Sequence, residues 1–202
     1  MIFIFALIVG VGAFFLGSVP FGLVIAKRFC NTDPRESGSG NVGATNVARL
    51  CGFKWGALTL VCDLLKGFLP VWLFLSSESS LLSYAAGLGV IVGHMFSYFL
   101  NYKGGKGVAS TVGVFLALAP VQLIISAAIC LILIWRTGFV SVGSLSLVTL
   151  LPLLLLFSGR PADALFSTVI AVLVIYAHRE NIARLRRGEE KPWRGKSQNE
   201  NS

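Results

Sequence analysis

The chain has 202 residues, of which 55% are apolar and only 13% charged, and its mean hydropathy is +0.79. Soluble domains carry about 25% charged residues, so this composition excludes both a disordered chain and an ordinary soluble globule. The net charge of +8 serves first to orient a membrane protein and second to bind anions, either lipid headgroups or phosphorylated substrates; no soluble basic surface is left for nucleic acid.

The chain opens on Met1, Ile2 and Phe3 and meets no charge before Lys27, which reads as a retained first span and not a cleaved leader. Apolar runs then predict spans over residues 3–26, 55–75, 81–100, 140–157 and 162–177. Residues 107–135 hold Pro120 near their middle and are one long helix or a hairpin of two short ones. Charge decides between them. With a hairpin, one side collects Lys27, Arg28, Arg35, Arg49, Lys54, Lys103, Lys106 and Arg136, together with Arg179, Arg184, Arg186, Arg187, Lys191, Arg194 and Lys196 of the tail. The other side keeps only Arg160, while Lys66 lies inside the second span. The positive-inside rule thus favours the hairpin over a count of five or six spans. The expected fold class is an all-α integral membrane protein with seven transmembrane helices, some short or re-entrant, the N-terminus outside and the C-terminus cytoplasmic. Residues 1–191 form a single polytopic membrane domain, and residues 192–202 a polar, disordered cytoplasmic tail.

The connections on the basic-poor side (76–80, the Pro120 turn and 158–163) are plain turns. Those on the basic side are dense in glycine and hydrogen-bond donors. The first runs from Ser37 to Asn46 and contains G-x-G-x-x-G as Gly38, Gly40 and Gly43. A dinucleotide-binding fold would need a strand before it, and a membrane span stands there instead. Its physics still applies, because glycines let backbone N–H groups close on an anion. Ser37, Ser39, Asn41, Thr45 and Asn46 add side-chain donors, and Arg49 follows one helical turn later.

The second segment is Lys103, Gly104, Gly105, Lys106 and Gly107, leading into Ser110 and Thr111. It is not a Walker A loop, because Gly107 follows the lysine, but two lysines before a new helix N-terminus make an anion site. The third starts at His178, Arg179, Glu180 and Asn181 at the membrane edge. It continues into an amphipathic stretch with Ile182 and Leu185 on one side and Arg184, Arg186 and Arg187 elsewhere, suited to lipid headgroups.

At membrane depth, Asp63 and Lys66 stand at i, i+3 and can pair on one helix face; unpaired they would be very costly there. His94 lies on the inner half of the third span as a hydrogen-bonded structural group or a catalyst. Cys30, Cys51, Cys62 and Cys130 have neither C-x-x-C nor metal-ligand spacing, and read as small buried apolar residues. No protein nucleophile is evident. The positions five residues after His94 and His178 are Phe99 and Ala183, so the H-x-x-x-x-D acyltransferase signature is absent, as are a Cys–His pair and a G-x-S-x-G elbow.

Three segments together, Ser37 to Asn46, Gly93-His94 with Gly104 to Gly107, and His178 to Asn181, resemble the signature segments of the bacterial acyl-phosphate:glycerol-3-phosphate acyltransferases. The resemblance covers residues 1–191. It implies a seven-span enzyme of the bacterial cytoplasmic (inner) membrane, with its active site on the cytoplasmic face. It implies transfer of a fatty acyl group from acyl-phosphate to the 1-hydroxyl of glycerol-3-phosphate, without metal or cofactor, in the first acylation of phospholipid synthesis. Membrane lipids and other lipid-synthesis enzymes are the partners it suggests.

A mixed anhydride has a good leaving group, so the reaction needs positioning and charge stabilisation and no covalent acyl-enzyme. The expected catalytic set is Lys106, Arg49, His94 and His178. Ser37, Gly38, Ser39, Gly40, Asn41, Gly43, Thr45, Asn46, Lys103, Gly104, Gly105, Ser141 and Asn181 are expected to bind substrate. Lys106 and Arg49 meet the phosphate charge, the histidines orient loops, and Ser141 and Asn181 help hold glycerol-3-phosphate. The alternative is a transporter or binding protein for a phosphorylated anion. Against it, no inverted repeat is visible and the polar groups gather at one face and not at mid-membrane.

Overall fold

The structure is a computed structural model that describes residues 1–77 and 79–193. Glu78, Arg194, Lys196 and the rest of the expected tail beyond residue 193 lie outside the described residues. All regular structure among the described residues is helical.

The first apolar run is two helices, α1 (Ile2–Ser18) and α2 (Phe21–Cys30), where the sequence suggested one. Val19 precedes Pro20, whose ring disfavours helical geometry in its neighbour, and it is extended at φ −61° and ψ 116°. The break leaves carbonyls at the helix end without intrahelical partners. The Ser18 carbonyl accepts from Ser97 Oγ at 2.5 Å, and the Val19 carbonyl from Lys66 Nζ at 3.0 Å.

Next come α3 (Ala44–Cys51), α4 (Phe53–Leu73) and α5 (Ser80–Met95), the last two close to the expected second and third spans. Helix α5 lies directly on α1. A Cβ at Gly93 would run into the Phe14 carbonyl, and one at Gly17 into the Val90 carbonyl. Small residues allow such backbone approach where lipid removes the hydrophobic drive between helices.

Residues 107–135 resolve into α6 (Val108–Leu118) and α7 (Pro120–Thr137), with the break at Ala119 and Pro120 at the first helical position. The arms have 11 and 18 residues, so only the first is short. Helix α6 lies along α4, Gly67 facing the Ser110 backbone and Gly113 that of Leu64. Then follow α8 (Val140–Phe157), α9 (Pro161–Ala177) and α10 (Arg179–Arg187), which turns 57° away from α9.

Among the described residues, five helical stretches are long and apolar enough to cross a membrane, counting Ile2–Cys30 as one, and six if α9 with α10 is a bent span. Helix α6 is shorter, about 16 Å at 1.5 Å per residue. The core joins α5, α6, α8 and α9 through fully buried Ile91, Phe115, Leu151, Leu155, Ile170 and Val174. The exposed faces of α1 and α7 carry Phe3, Ile4, Leu131 and Trp135, a surface suited to lipid.

Two cysteines depart from the expectation of separate buried residues. Cys30 and Cys51, at the C-terminal ends of α2 and α3, form a disulfide with a Cα–Cα distance of 5.8 Å. Their separation of 21 residues matches no local motif, and only the return of α3 alongside α2 brings them together. Cys130 is buried and Cys62 half-buried, as free thiols.

Candidate active site

The glycine-rich segment after α2 is wrapped around one side chain. Asn46, 2% exposed, donates through Nδ2 to the carbonyls of Pro34, Ser37 and Asn41 at 2.9, 3.1 and 2.9 Å. Its Oδ1 accepts from the Ser39 N–H at 2.9 Å. Gly38, at φ +68°, passes so close to this amide that a Cβ would strike Asn46 Oδ1. Asn41 Oδ1 accepts from the Gly43 N–H at 2.8 Å. Asn46 and Asn41 therefore build the loop with the groups that the sequence assigned to substrate. Ser37, Gly38, Ser39 and Gly40 form its exposed rim, and Thr45 is half-buried in the first turn of α3.

The second segment is reversed by Asn101 and Tyr102, which both take left-handed backbone conformations (φ +50° and +62°). The reversal folds the glycines back on the end of α5. The Gly104 N–H donates to the Met95 carbonyl at 3.0 Å and the Gly105 N–H to that of His94 at 2.9 Å. Gly107, at φ +82°, caps α6. Lys106 points from this turn to Asn181, donating from Nζ to Oδ1 at 2.5 Å. Burial, reinforced by the nearby Arg184, lowers the Lys106 pKa to about 8, although Glu190 pulls the other way. Lys103 is exposed at the surface.

The third segment supplies the wall opposite Lys106. His178 is 2% exposed, and its Nδ1 lies 2.8 Å from the Val174 carbonyl. A carbonyl only accepts, so Nδ1 carries the proton and the neutral ring leaves Nε2 as an acceptor. Burial lowers the His178 pKa to about 4, against the Val174 hydrogen bond and with help from Lys106. Asn181, one helical turn beyond Ala177, is 6% exposed. Arg179 and Glu180 face outward, and Arg179 lies over the Tyr176 ring.

Glu190 organises this wall, and sequence reasoning missed it. Its Oε1 accepts from Asn181 Nδ2 at 2.6 Å and from Ser141 Oγ at 2.7 Å, while Oε2 accepts from Arg184 Nε at 2.7 Å. Burial pushes its carboxyl upward, but the hydrogen bonds from Asn181, Ser141 and Arg184 overcome this and hold it below its ordinary value. Arg184 thus turns inward, and only Arg186 and Arg187 keep the exposed positions expected of a headgroup-facing stretch. The available signal was an acidic pair directly after Gly188, whose left-handed φ of +72° ends α10. The residues after Glu190 form a strap that reaches the first loop. Lys191 Nζ donates to the Gly38 carbonyl at 3.1 Å, and Arg49 donates to the carbonyls of Lys191 and Pro192 at 3.1 and 3.4 Å.

The three segments therefore converge. Lys106, Asn181, Ser141, Arg184 and Glu190 form one network, and Lys191 with Arg49 joins it to the first loop. Its cations Lys106, Arg49, Arg184 and Lys191 outnumber its single carboxylate, Glu190. Such an excess of positive charge favours an anion. The network's one side-chain hydroxyl, Ser141 Oγ, donates to a Glu190 carboxylate that Asn181 and Arg184 also hold. His94 lies apart from this network, beside Asp63 and Lys66. No group of three or more potential metal ligands occurs among the described residues.

A family model described as glycerol-3-phosphate acyltransferase matches residues 7–188. A glycerol-3-phosphate acyltransferase of Nitratidesulfovibrio vulgaris is 57% identical over 185 residues, which cover 91% of this chain and 57% of that protein. That of Desulfovibrio desulfuricans is 54% identical over 182 residues, covering 90% and 82%. That of Desulfotalea psychrophila is 45% identical over 202 residues, covering 97% and 100%. Among solved structures, PlsY (YgiH), an integral membrane glycerol 3-phosphate acyltransferase, superposes in its glycerol 3-phosphate form with a TM-score of 0.88 at 41% identity, over 93% of this chain and 94% of that one. Its lysophosphatidic acid form gives 0.85 at 40% identity over the same shares.

Proposed function

Because the chain belongs to the glycerol-3-phosphate acyltransferase family, we propose that it transfers a fatty acyl group from acyl-phosphate to the 1-hydroxyl of glycerol-3-phosphate. The products are lysophosphatidate and inorganic phosphate. The observation that carries the reading is the cation-rich network around Lys106, Asn181 and Arg184, because both substrates present a phosphate to it.

In the reaction the glycerol hydroxyl oxygen attacks the acyl carbonyl carbon, and the bond from that carbon to the phosphate oxygen breaks. The hydroxyl proton passes to an oxygen of the leaving phosphate, so no protein base is required. His178, neutral and with a pKa near 4, orients the wall and does not shuttle the proton. Lys106 and Arg49 stabilise the phosphate charge as it develops. The backbone N–H groups of the first loop, with Ser37 and Thr45, hold the phosphate of the donor. Ser141 and Asn181 help to hold glycerol-3-phosphate, sharing their hydrogen bonds with Glu190.

The topology that goes with this function has seven spans. Helix α6 counts as a short or re-entrant one, α9 as the last, the N-terminus lies outside, and the basic network faces the cytoplasm of a bacterial inner membrane. The split of residues 107–135 at Ala119 supports this count. Residues 1–191 act as a single domain.

Purified protein in lipid, given palmitoyl-phosphate with and without glycerol-3-phosphate, tests the reading, with palmitoyl-CoA as a parallel donor. Phosphate release that needs both phosphorylated substrates and yields lysophosphatidate is expected. Turnover with palmitoyl-CoA alone as donor would reassign the acyl source. Absence of turnover in folded protein would favour a transporter for a phosphorylated anion.

A further inference from the structure

The Asp63–Lys66 pair is placed to do more than neutralise itself. Both side chains are almost fully buried, at 2% and 4% exposure, with Lys66 Nζ 2.7 Å from Asp63 Oδ1. The same Asp63 oxygen lies 3.6 Å from Nδ1 of His94, at the end of α5. A cavity of about 10 Å³, the space of a single water, adjoins all three residues.

The His94 ring is held from its other edge by the second segment. A Cβ on Gly105 would run into Nε2, and one on Gly104 into the His94 carbonyl oxygen. That carbonyl accepts the Gly105 N–H at 2.9 Å. Gly105 is joined directly to Lys106, whose Nζ reaches Asn181. A chain of close approaches therefore runs from a carboxylate inside α4, through an imidazole, to the backbone of the residue preceding Lys106.

We propose that Asp63 is a positioning residue for Lys106, acting through the His94 ring and Gly105; this rests on Lys106 serving the acyl transfer proposed above. The Asp63 charge, 3.6 Å from Nδ1 of His94, attracts that edge of the ring. The ring edge then sets where the Gly105 backbone can lie. Lys66 completes the arrangement: it neutralises Asp63 and ties it to the Val19 carbonyl that the α1–α2 break exposes.

The test must separate positioning from folding, because removing one member of a buried ion pair leaves the other charge uncompensated. The double variant D63N/K66Q removes both charges at similar volume, so it is compared with the unmodified full-length protein in lipid. Two quantities are read per folded molecule. One is the split between kcat and the KM for glycerol-3-phosphate. The other is competitive acetylation of Lys106 relative to Lys103 by limiting acetic anhydride, read by mass spectrometry.

Positioning predicts a kcat at least 10-fold lower, a KM within about 3-fold, and a Lys106 to Lys103 labelling ratio raised about 5-fold. G105A drives a methyl group into the His94 ring from the far side while leaving Asp63 and Lys66 intact, and it should reproduce both changes. A labelling ratio within 2-fold of the unmodified protein in either folded variant overturns the proposal, whatever kcat does. If the unmodified protein shows no acyl transfer, the proposed function fails on its own, and the labelling ratio still decides the role of Asp63.

Discussion

Two polar clusters lie in this helical bundle, and their charges are balanced differently. Asp63 and Lys66 match one carboxylate with one ammonium, both nearly sealed from solvent, and His94 closes the group. At the end of the bundle, Lys106, Arg49, Arg184 and Lys191 surround Glu190 as the carboxylate that three of the wall's side chains share. The first arrangement balances its carboxylate with an ammonium and leaves room beside it for a single water. The second keeps an excess of cations, which only an added anion can balance. Lys106 carries most of the burial cost in the second cluster, because Arg49 and Lys191 are exposed and Arg184 is only partly covered.

The sharpest way to break this comparison is to remove the cation at the centre of the second cluster. Lys106→Met should lower turnover by about 10³-fold, the scale of losing one charge-stabilising group. The pKa of Lys106, at about 8 instead of 10.5, makes a second claim with a definite sign. Between pH 8 and 10.5 the unfolded chain binds more protons than the folded one, so stability rises with pH across that window. Below it the buried charge is a standing cost. The methionine variant should therefore unfold at the same temperature as the parent or higher at pH 7, while its activity is lost. In the unmodified protein, turnover should fall as pH passes about 8. Glu190, Glu180, Arg184 and Arg49 are the charges that tune this limb. His178, with its pKa near 4, should add no inflection around neutrality.

The next effect concerns how the first loop is tied. The closed cluster is held by an ion pair; the loop of the open one is bracketed by the Cys30–Cys51 disulfide, across a separation of 21 residues. Closing a loop of this size stabilises a fold by about 3 kcal/mol in the chain-entropy picture. Reductant should lower unfolding stability by about that amount, measured by thermal or denaturant unfolding in detergent. Cys30→Ser should reproduce the loss and be insensitive to reductant.

Both clusters were only partly legible in the sequence. The Asp63–Lys66 pair could be read from its i, i+3 spacing, because a helix leaves such residues one neighbour on the same face. The break between α6 and α7 could be read from Pro120, because proline starts a helix well but does not sit inside one without disruption. The break at Val19 could not, since Pro20 sits inside a continuous apolar run and hydropathy does not register a lost hydrogen bond. Glu190 was hidden for another reason. Its partners Ser141, Asn181 and Arg184 come from α8 and α10, so its role exists only once the strap has folded back. Asn46 was legible as a donor but not as the hub of its own loop, because its acceptors are backbone carbonyls that any sequence would supply.

Glu190→Gln sharpens the comparison from the acidic side. The amide keeps the shape but removes the charge on which Arg184 closes, a loss of about 2 kcal/mol for charge-assisted hydrogen bonds. Steady-state kinetics should then give kcat/KM for glycerol-3-phosphate about 10- to 100-fold lower. An unchanged value would mean that the strap is not part of the wall.

The smallest expected effect is the most discriminating, because it compares two lysines three residues apart in one turn. Lys106 is directed inward to Asn181, whereas Lys103 lies exposed on the approach to the same turn. An exposed charge acts through solvent and is screened over about 8 Å at physiological salt. Lys103→Ala should therefore lower kcat/KM by less than about 3-fold at 0.15 M salt, and the deficit should grow as salt is withdrawn. A salt-independent loss comparable with that of Lys106→Met would place Lys103 in direct contact with substrate and extend the open cluster to the whole of residues 103–107.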